Sequence, residues 1–385
     1  MPLPFDPQSP TQIIFGPGEL TELGRAAAAL GAKRALVVSD PGIVAAGHTG
    51  RGVALLDDAG ITVTLFDAVY ENPTTAHVDA GLRVAREFQP DLIVGLGGGS
   101  SMDCAKGINF LYSCGGRMQD YWGEGKATGP LLPMIAVPTT AGTGSETQSY
   151  ALIADAETHV KMACGDKRAA FRVAILDPEL TLTQPMRVTA LTGIDALSHA
   201  IETYVTKRRN AMSLDFSREA WRHLAPNLSR VLAEPHDLAA RAEMQRGACL
   251  AGLAIENSML GAAHALSNPL TAEFGIAHGE AIAIMLPHVV RRNGEEVDAW
   301  YRELIQADIG RIAGLEVHES ASASLAGFLS SVSQQADLAG TLTECGVSRD
   351  RFPELAAAAV RQWTGTFNPV ELSQDDFERL YETAL

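Results

Sequence analysis

The sequence predicts an α/β domain built on a parallel sheet, residues 1–185, followed by an all-helical domain, residues 186–385. Three observations predict this. Short apolar runs that stop at Gly, Pro or Asp recur through the first half, and helical patterns separate several of them, which is the alternation of parallel βαβ units. From about Met186 the strand-like runs cease and long helical patterns follow. A chain of 385 residues also exceeds what one hydrophobic core ordinarily supports.

The elements follow in order. Strand runs are read at 13–15 before GPG, 35–38 before SDPG, 63–66 before DAVYENPT, 92–96 before GGGSS, 134–137 before PTTAGTGSE and 173–176 before DPE. Helical patterns fill 19–30 and 75–88. Pro185 marks the boundary, because the residue before a proline is pushed out of the helical region. Beyond it the helical patterns cover 188–206, 211–233, 238–256, 280–292, 299–313, 320–336 and 374–385. In parallel sheets ligands bind beyond the carboxyl ends of the strands, where the Gly- and Thr-rich loops of this chain fall.

Composition narrows the function classes. The net charge of −16 argues against nucleic acid as a partner, since phosphate binding needs clustered Lys and Arg. The short cluster Lys207-Arg208-Arg209 reads as a helix end, where cations favour the carbonyl pole. The five cysteines are odd in number and form no CxxC pair, so neither a disulfide framework nor a zinc-cysteine site is expected. The opening residues lack the basic patch and apolar run of a secretory signal. No stretch of about 18 apolar residues calls for a membrane span. A reducing cytoplasm, with no membrane partner, is the expectation.

The segment DLIVGLGGGSSMDCAKG reads as strand, glycine turn and helix. Glycines allow close backbone approach to a phosphate, a helix N-terminus attracts an anion, and Ser100 or Ser101 is placed to cap the helix. The motif is neither GxGxxG nor a P-loop, and a tight turn with no ligand also fits it. The second loop, PTTAGTGSE, adds hydroxyls at Thr139, Thr140, Thr143 and Ser145. Two such loops in one sheet suit a dinucleotide. Asp40, at a strand end about twenty residues after the first glycine turn, is placed to accept from an adenosine ribose diol and to repel a 2′-phosphate, which favours NAD over NADP. A turn-opening Asp before Pro41-Gly42 accounts for it equally well.

In TGIDALSHAIETYV, Asp195 and His199 are four apart and leave one helix face, as a half-site for a divalent cation requires. His264 and His278 each lie near a glycine at a helix start or loop. One carboxylate and three imidazoles suit Zn2+, Fe2+ or a similar borderline metal. Spacing alone leaves open that Asp195 and His199 only hydrogen-bond each other.

GGGSSMDCAKG, PTTAGTGSE, DPELT with TALTGIDALSHAIE, and HALSNPL with HGEAIAIMLPH, in that order, resemble the signature blocks of the iron-containing alcohol dehydrogenase family. The resemblance runs from about Ile14 to the last helix. It implies a dinucleotide-binding α/β domain, a helical metal-binding domain and a cleft between them. It puts the metal ligands on Asp195, His199, His264 and His278. It puts the ribose-binding acid on Asp40 and the pyrophosphate glycines on Gly97, Gly98 and Gly99, with Ser100 beside them. Thr139, Thr140 and Thr143 match the second cofactor loop, and Lys161 and Asn72 match positions near the cofactor. Gln148, Tyr150, Ile255 and Met259 match the substrate pocket, which implies a small, partly polar alcohol or aldehyde. The implied cofactors are Fe2+ (or Zn2+) and NAD, and the implied assembly is a homodimer.

Two departures from the family pattern stand out. Asn268 replaces a histidine that contacts the cofactor and relays the alcohol proton in the family, and an amide does not titrate. Gln184 replaces a leucine at the domain junction. Rival readings on the same fold are a three-ligand polyol dehydrogenase, a metal-independent reductase of the maleylacetate type and a dehydroquinate-synthase-like lyase. The intact four-residue set disfavours the first two. The lack of an Arg and Lys cluster for substrate anions disfavours the third. A non-catalytic dinucleotide- or metal-binding protein is the rival from another class.

Overall fold

The computed structural model describes residues 11–385, so most of the opening segment that lacks a secretory pattern lies outside them. The chain divides into two compact units, Met1–Gln184 and Pro185–Leu385.

The first unit holds a six-stranded sheet, every pair of it parallel. Its strands are β1 (Gln12–Phe15), β2 (Arg34–Val38), β3 (Thr62–Phe66), β4 (Leu92–Gly97), β6 (Met134–Pro138) and β9 (Val173–Leu176), in the spatial order β1-β9-β6-β4-β2-β3. β4 and β6 are buried along their whole length, which is why they read as unbroken apolar runs rather than alternating ones. Leu23, Leu56, Val94, Leu96, Val137 and Ile175 belong to one core on the face covered by α1 (Leu23–Ala29) and α3 (His48–Asp58), with the short α2 (Pro41–Ala45) between those helices. α4 (Thr75–Phe88) and α5 (Gly99–Cys114) pack closely on each other. A Cβ at Gly107 would lie 2.9 Å from Val78, and one at Gly81 would lie 2.2 Å from Ile108.

A second sheet, which sequence patterning does not reveal, consists of β5 (Gly123–Glu124), β7 (Tyr150–Ala154) and β8 (Lys161–Gly165), in the order β5-β8-β7. Its strands are short and rich in Ala and Gly, which weakens their strand signal. Residues 19–22 form a 3-10 turn, so the helix expected over 19–30 starts at Leu23.

The second unit is all helical: α6 (Met186–Val205), α7 (Ala211–Ala233), α8 (Leu238–Glu256), α9 (Ala262–Phe274), α10 (His278–Gln306), α11 (Ala321–Gln335), α12 (Phe352–Val360) and α13 (Gln374–Thr383). Gly193 on α6 admits Leu228 of α7 and Met244 of α8, which a Cβ would meet at 2.5 and 3.2 Å. Trp221 of α7, fully buried, meets Phe328 of α11 edge-on at 5.8 Å. The patterns expected as separate helices at 280–292 and 299–313 are one helix bent at Val297 (φ −121°), and it stops at Gln306. Gly310 and Gly314 then take left-handed conformations that no helix continues through. α9 escapes a pattern search because Asn268-Pro269, a dipeptide that ordinarily marks a turn, lies inside it. Among the described residues no helix is long and apolar enough to cross a membrane.

Candidate functional site

In the first unit the strand order sets three loops side by side. β2 pairs with β4 up to Val38 and Gly95, and β4 pairs with β6 up to Gly97 and Pro138. β3 lies on one side of β2 while β6 lies beyond β4, so the chain reverses its direction across the sheet at the β2–β4 boundary. That reversal is where open α/β sheets bind ligands. The Ser39 hydroxyl donates to the Leu96 carbonyl at 2.8 Å and the Thr139 N–H donates to that of Gly97 at 3.0 Å, tying the three loops together.

The glycines have separate tasks. A Cβ on Gly97 (φ +154°) would lie 2.5 Å from Ser101 Oγ and 3.2 Å from Asp40 Oδ2. A Cβ on Gly99 would lie 2.7 Å from Thr143, and one on Gly98 would rest at 3.4 Å from Thr140. The glycines therefore let the second loop close against the start of α5. Neither Ser100 nor Ser101 caps this helix, contrary to expectation; Gly98 is its N-cap and no side chain accepts there. Ser100 sits half-buried in the first turn, and Ser101 turns away because its hydroxyl reaches Asp40 Oδ2 at 3.3 Å. The first-turn N–H groups of a sixteen-residue helix thus lack a side-chain acceptor, which suits a phosphate.

Asp40 opens α2, as the turn reading expects, and also faces the first turn of α5. Oδ1 accepts from Ile43 N at 3.1 Å and caps α2, while Oδ2 accepts from Ser101. Each carboxylate oxygen has a second lone pair for a diol. Thr139 Oγ1 is buried without a hydrogen-bond partner among the described residues, an orphan that a bound ligand would satisfy. Asn72 holds a left-handed backbone (φ +53°), uncommon outside glycine but tolerated by Asn. Pro73 beside it accepts from Ala154 N at 2.9 Å, and Ala154 pairs with Lys161, so the fold gathers Asn72 and Lys161 at one end of the β7–β8 pair. The Gln148 amide donates to the Thr143 carbonyl at 2.8 Å and braces the second loop. The Tyr150 ring lies over Gly165, where a Cβ would meet it at 2.3 Å.

A brace that sequence reasoning missed lies beneath these loops. Lys106, fully buried, donates to the Ser145 carbonyl (2.8 Å), the Ser145 hydroxyl (2.9 Å) and the Tyr150 carbonyl (2.8 Å). Ser145 Oγ donates to Asp103 at 2.6 Å. Burial pushes the Asp103 carboxyl up from its ordinary range, with Lys106 and Ser145 opposing the rise. Removing the ammonium takes from that buried carboxylate a cation 3.7 Å away, and from the Ser145 and Tyr150 carbonyls a donor, so Lys106→Met is expected to cost about 3–5 kcal/mol of stability. Urea unfolding checks this, and an unchanged midpoint would contradict it.

In the second unit α6 carries Asp195 and His199 on one face. Asp195 Oδ1 is the hub: His199 Nε2 lies 3.4 Å away, His264 Nε2 3.6 Å and His278 Nε2 3.7 Å. Asp195, His199 and His264 are all buried, with donor atoms within 4.8 Å of one another; His278 joins them through Asp195 and is the most exposed of the four. The imidazole rings of His199 and His264 stack at 5.1 Å. His278 begins α10, and its neighbour Gly279 lets that helix start press onto α6, since a Cβ there would sit 2.4 Å from the Leu191 carbonyl oxygen. Arg187 of α6 bonds Glu280 of α10 at 2.7 Å and holds the same junction.

These residues fit a divalent metal. Two donors about 2.1 Å from a tetrahedral ion lie about 3.4 Å apart, close to the spacings around Asp195. Asp195 Oδ1 and His264 Nε2 are buried with no hydrogen-bond partner among the described residues, and both are metal-donor atoms. The local field calls for a cation. Burial disfavours charge on Asp195, but the three imidazoles outweigh it and hold the carboxyl below its ordinary range. Burial likewise opposes a charged His264, yet Glu202 and Asp195 raise its pKa to about 9.

Sequence reasoning also missed Glu202. It is buried on α6, three residues past His199 and seven past Asp195, so the i, i+4, i+7 pattern of one face was its sequence signal. Its Oε2 lies 2.6 Å from His264 Nδ1 and its Oε1 accepts from Ala263 N at 2.7 Å. Asn268, one turn beyond His264, donates its amide to Gln362 Oε1 at 3.1 Å. Ile255 lies in the last turn of α8 and Met259 in the connection leading to α9; both are buried.

Residues 10–178 match the model of the family described as iron-containing alcohol dehydrogenase, and residues 189–385 match that of the Fe-containing alcohol dehydrogenase family, C-terminal. The 1,3-propanediol dehydrogenase of Klebsiella pneumoniae is 35% identical over 385 residues, covering 99% of this chain and 98% of that protein. Among solved structures, a 1,3-propanediol oxidoreductase is similar with a TM-score of 0.93 at 34% identity, over 99% of this chain and 100% of that one. A sulfoacetaldehyde reductase from Bifidobacterium kashiwanohense, solved in complex with NAD+, is similar with a TM-score of 0.86 at 28% identity, over 100% of this chain and 99% of that one.

Proposed function

The chain belongs to the iron-containing alcohol dehydrogenase family, and on that premise we propose that it is an NAD-linked, metal-dependent oxidoreductase that passes a hydride between NAD(H) and a small alcohol or aldehyde. The observation that carries the reading is the convergence of three imidazole nitrogens on one buried carboxylate oxygen. In this reading Asp195, His199, His264 and His278 hold Fe2+ or Zn2+. When bound, such a metal supplies Lewis-acid polarisation of the substrate oxygen, which eases ionisation of an alcohol and activates a carbonyl toward hydride.

The chain's own residues do the positioning. Residues 1–185 take the nucleotide and residues 186–385 take the metal and substrate. The first-turn N–H groups of α5 receive the pyrophosphate beside Gly97, Gly98, Gly99 and Ser100. Thr139, Thr140 and Thr143 line the second loop, with Asn72 and Lys161 toward the nicotinamide end. Gln148, Tyr150, Ile255 and Met259 are the candidate substrate contacts, and a substrate of a few carbons is in keeping with the names of the diol and aldehyde enzymes to which the chain is similar. Asn268, held by Gln362, orients a neighbour by hydrogen bonds and moves no proton by titration. The enzyme acts as a cytoplasmic homodimer without nucleic-acid or membrane partners, and the net charge of −16 supports the exclusion of nucleic acid.

Absorbance at 340 nm tests the reading, with NADH and a panel of small aldehydes, with and without Fe2+ or Zn2+. Metal-dependent loss of NADH is expected; no turnover across the panel would favour a non-catalytic binding protein. Asp40 sets coenzyme choice in this account. Asp40→Ala removes a charged hydrogen-bond partner of the ribose, worth about 1.5–3 kcal/mol, and the repulsion of a 2′-phosphate. The NAD-to-NADP ratio of kcat/KM should fall at least about tenfold, by the 1.36 kcal/mol-per-decade conversion. An unchanged ratio would refute the assignment.

A further inference from the structure

We infer that Glu202 is a positioning residue whose two carboxylate oxygens fix the start of α9 and the ring of His264 together. The inference rests on the metal reading above and adds a residue to it.

α9 begins without a cap of its own. Its N-cap is Gly261, which has no side chain to accept from the first orphan N–H groups. Other elements supply the acceptors. Asn368 Oδ1 accepts from Ala262 N at 3.3 Å and Glu202 Oε1 accepts from Ala263 N at 2.7 Å. Asn368 is itself locked by a reciprocal amide pair with Asn293, with bonds of 3.0 and 2.8 Å, and donates to the Val370 carbonyl at 2.9 Å. Gly261 makes room for both acceptors, since a Cβ there would lie 3.0 Å from Glu202 Oε1 and 3.1 Å from Asn368 Oδ1. A carboxylate at a helix N-terminus is favoured by the macrodipole.

The second oxygen acts on the ring two residues into the helix. Glu202 Oε2, 2.6 Å from His264 Nδ1, requires that nitrogen to carry the hydrogen. In the neutral, metal-binding ring Nε2 is then the lone-pair nitrogen, and it is the one 3.6 Å from Asp195 Oδ1. A carboxylate behind a ligating imidazole sets its tautomer and orientation, and losing such a partner typically costs about 10–100-fold in metal affinity.

Ionised Glu has two acceptors, whereas Gln of the same length has one acceptor and one donor. In Glu202→Gln, an amide with its carbonyl toward Ala263 would aim its NH2 at Nδ1 and force the hydrogen onto Nε2, the ligating atom. The flipped amide would set a donor against the Ala263 N–H and uncap α9. Neither arrangement keeps both bonds.

The test is a Co2+ titration of metal-free wild type and Glu202→Gln, followed by the visible absorption of bound Co2+, with the NADH dissociation constant measured on both. We expect wild type to bind Co2+ and E202Q to bind about 10–100-fold more weakly with an altered spectrum, while NADH affinity is kept. A purely structural role lowers the melting temperature but leaves Co2+ affinity and spectrum alone, and that result overturns the inference. Wild type that takes up no Co2+ overturns the metal reading instead. If E202Q does not fold, 15N-histidine NMR of Zn2+-loaded wild type decides: a proton on Nδ1 of His264 supports the inference, and one on Nε2 overturns it.

Discussion

Asp195→Asn is expected to lower kcat/KM on the order of a thousandfold and to strip the protein of metal. Asp195 Oδ1 is the atom toward which three imidazole nitrogens point, at 3.4, 3.6 and 3.7 Å. Asn removes the negative charge and replaces one acceptor oxygen by an NH2 donor, which repels a cation. Lewis-acid stabilisation of the developing charge is worth several kcal/mol. About 4 kcal/mol of it corresponds to about a thousandfold in rate. Because the loops proposed to hold the nucleotide lie in residues 1–185, NADH affinity should be retained. Metal content, steady-state rates and NADH fluorescence on the same preparation check all three parts. A variant with full metal and full activity would remove Asp195 from the account, and His264→Ala should reproduce the paired loss.

The second large effect is expected at the other end of the chemistry. Gly97→Ala puts a methyl group 2.5 Å from Ser101 Oγ and 3.2 Å from Asp40 Oδ2, at a φ of +154° that side chains rarely adopt. Both neighbours are buried or half-buried and bonded to each other, so they have little room to yield. Overpacking costs about 1–3 kcal/mol, and the strained backbone adds a similar amount. Where about 1.4–2.8 kcal/mol of that cost falls on the bound state, the NADH dissociation constant rises about 10–100-fold by the 1.4 kcal/mol-per-decade relation, with metal content unchanged. Isothermal titration of NADH measures it, and wild-type affinity would show that the loop does not hold the dinucleotide.

The six parallel strands were legible because each carries an apolar run that stops near Gly, Pro or Asp, and β4, β6 and β9 are buried throughout. The pair Asp195 and His199 was legible because helical periodicity is local. His278 became part of the site only through Gly279, whose missing side chain lets the start of α10 press onto α6, and His264 only through Glu202, which holds the start of α9 at Ala263 N. Glu202 lay in plain view on the same helix face, but a spacing of seven carries no metal-ligand signature and its partner is 62 residues away. The contact of Ser101 with Asp40, 61 residues apart, was invisible for the same reason and is why the expected serine cap is absent. The small sheet and α9 were missed on local grounds: short Ala- and Gly-rich strands, and an Asn-Pro dipeptide inside a helix.

One divalent metal, held by Asp195, His199, His264 and His278, is the proposed requirement for turnover. Elemental analysis of protein purified without added metal, paired with activity before and after chelation and reconstitution, tests it most directly. The expected result is about one Fe or Zn per chain, loss of activity on chelation and recovery with Fe2+ or Zn2+. Metal-free protein that oxidises NADH with an aldehyde at the full rate would contradict it.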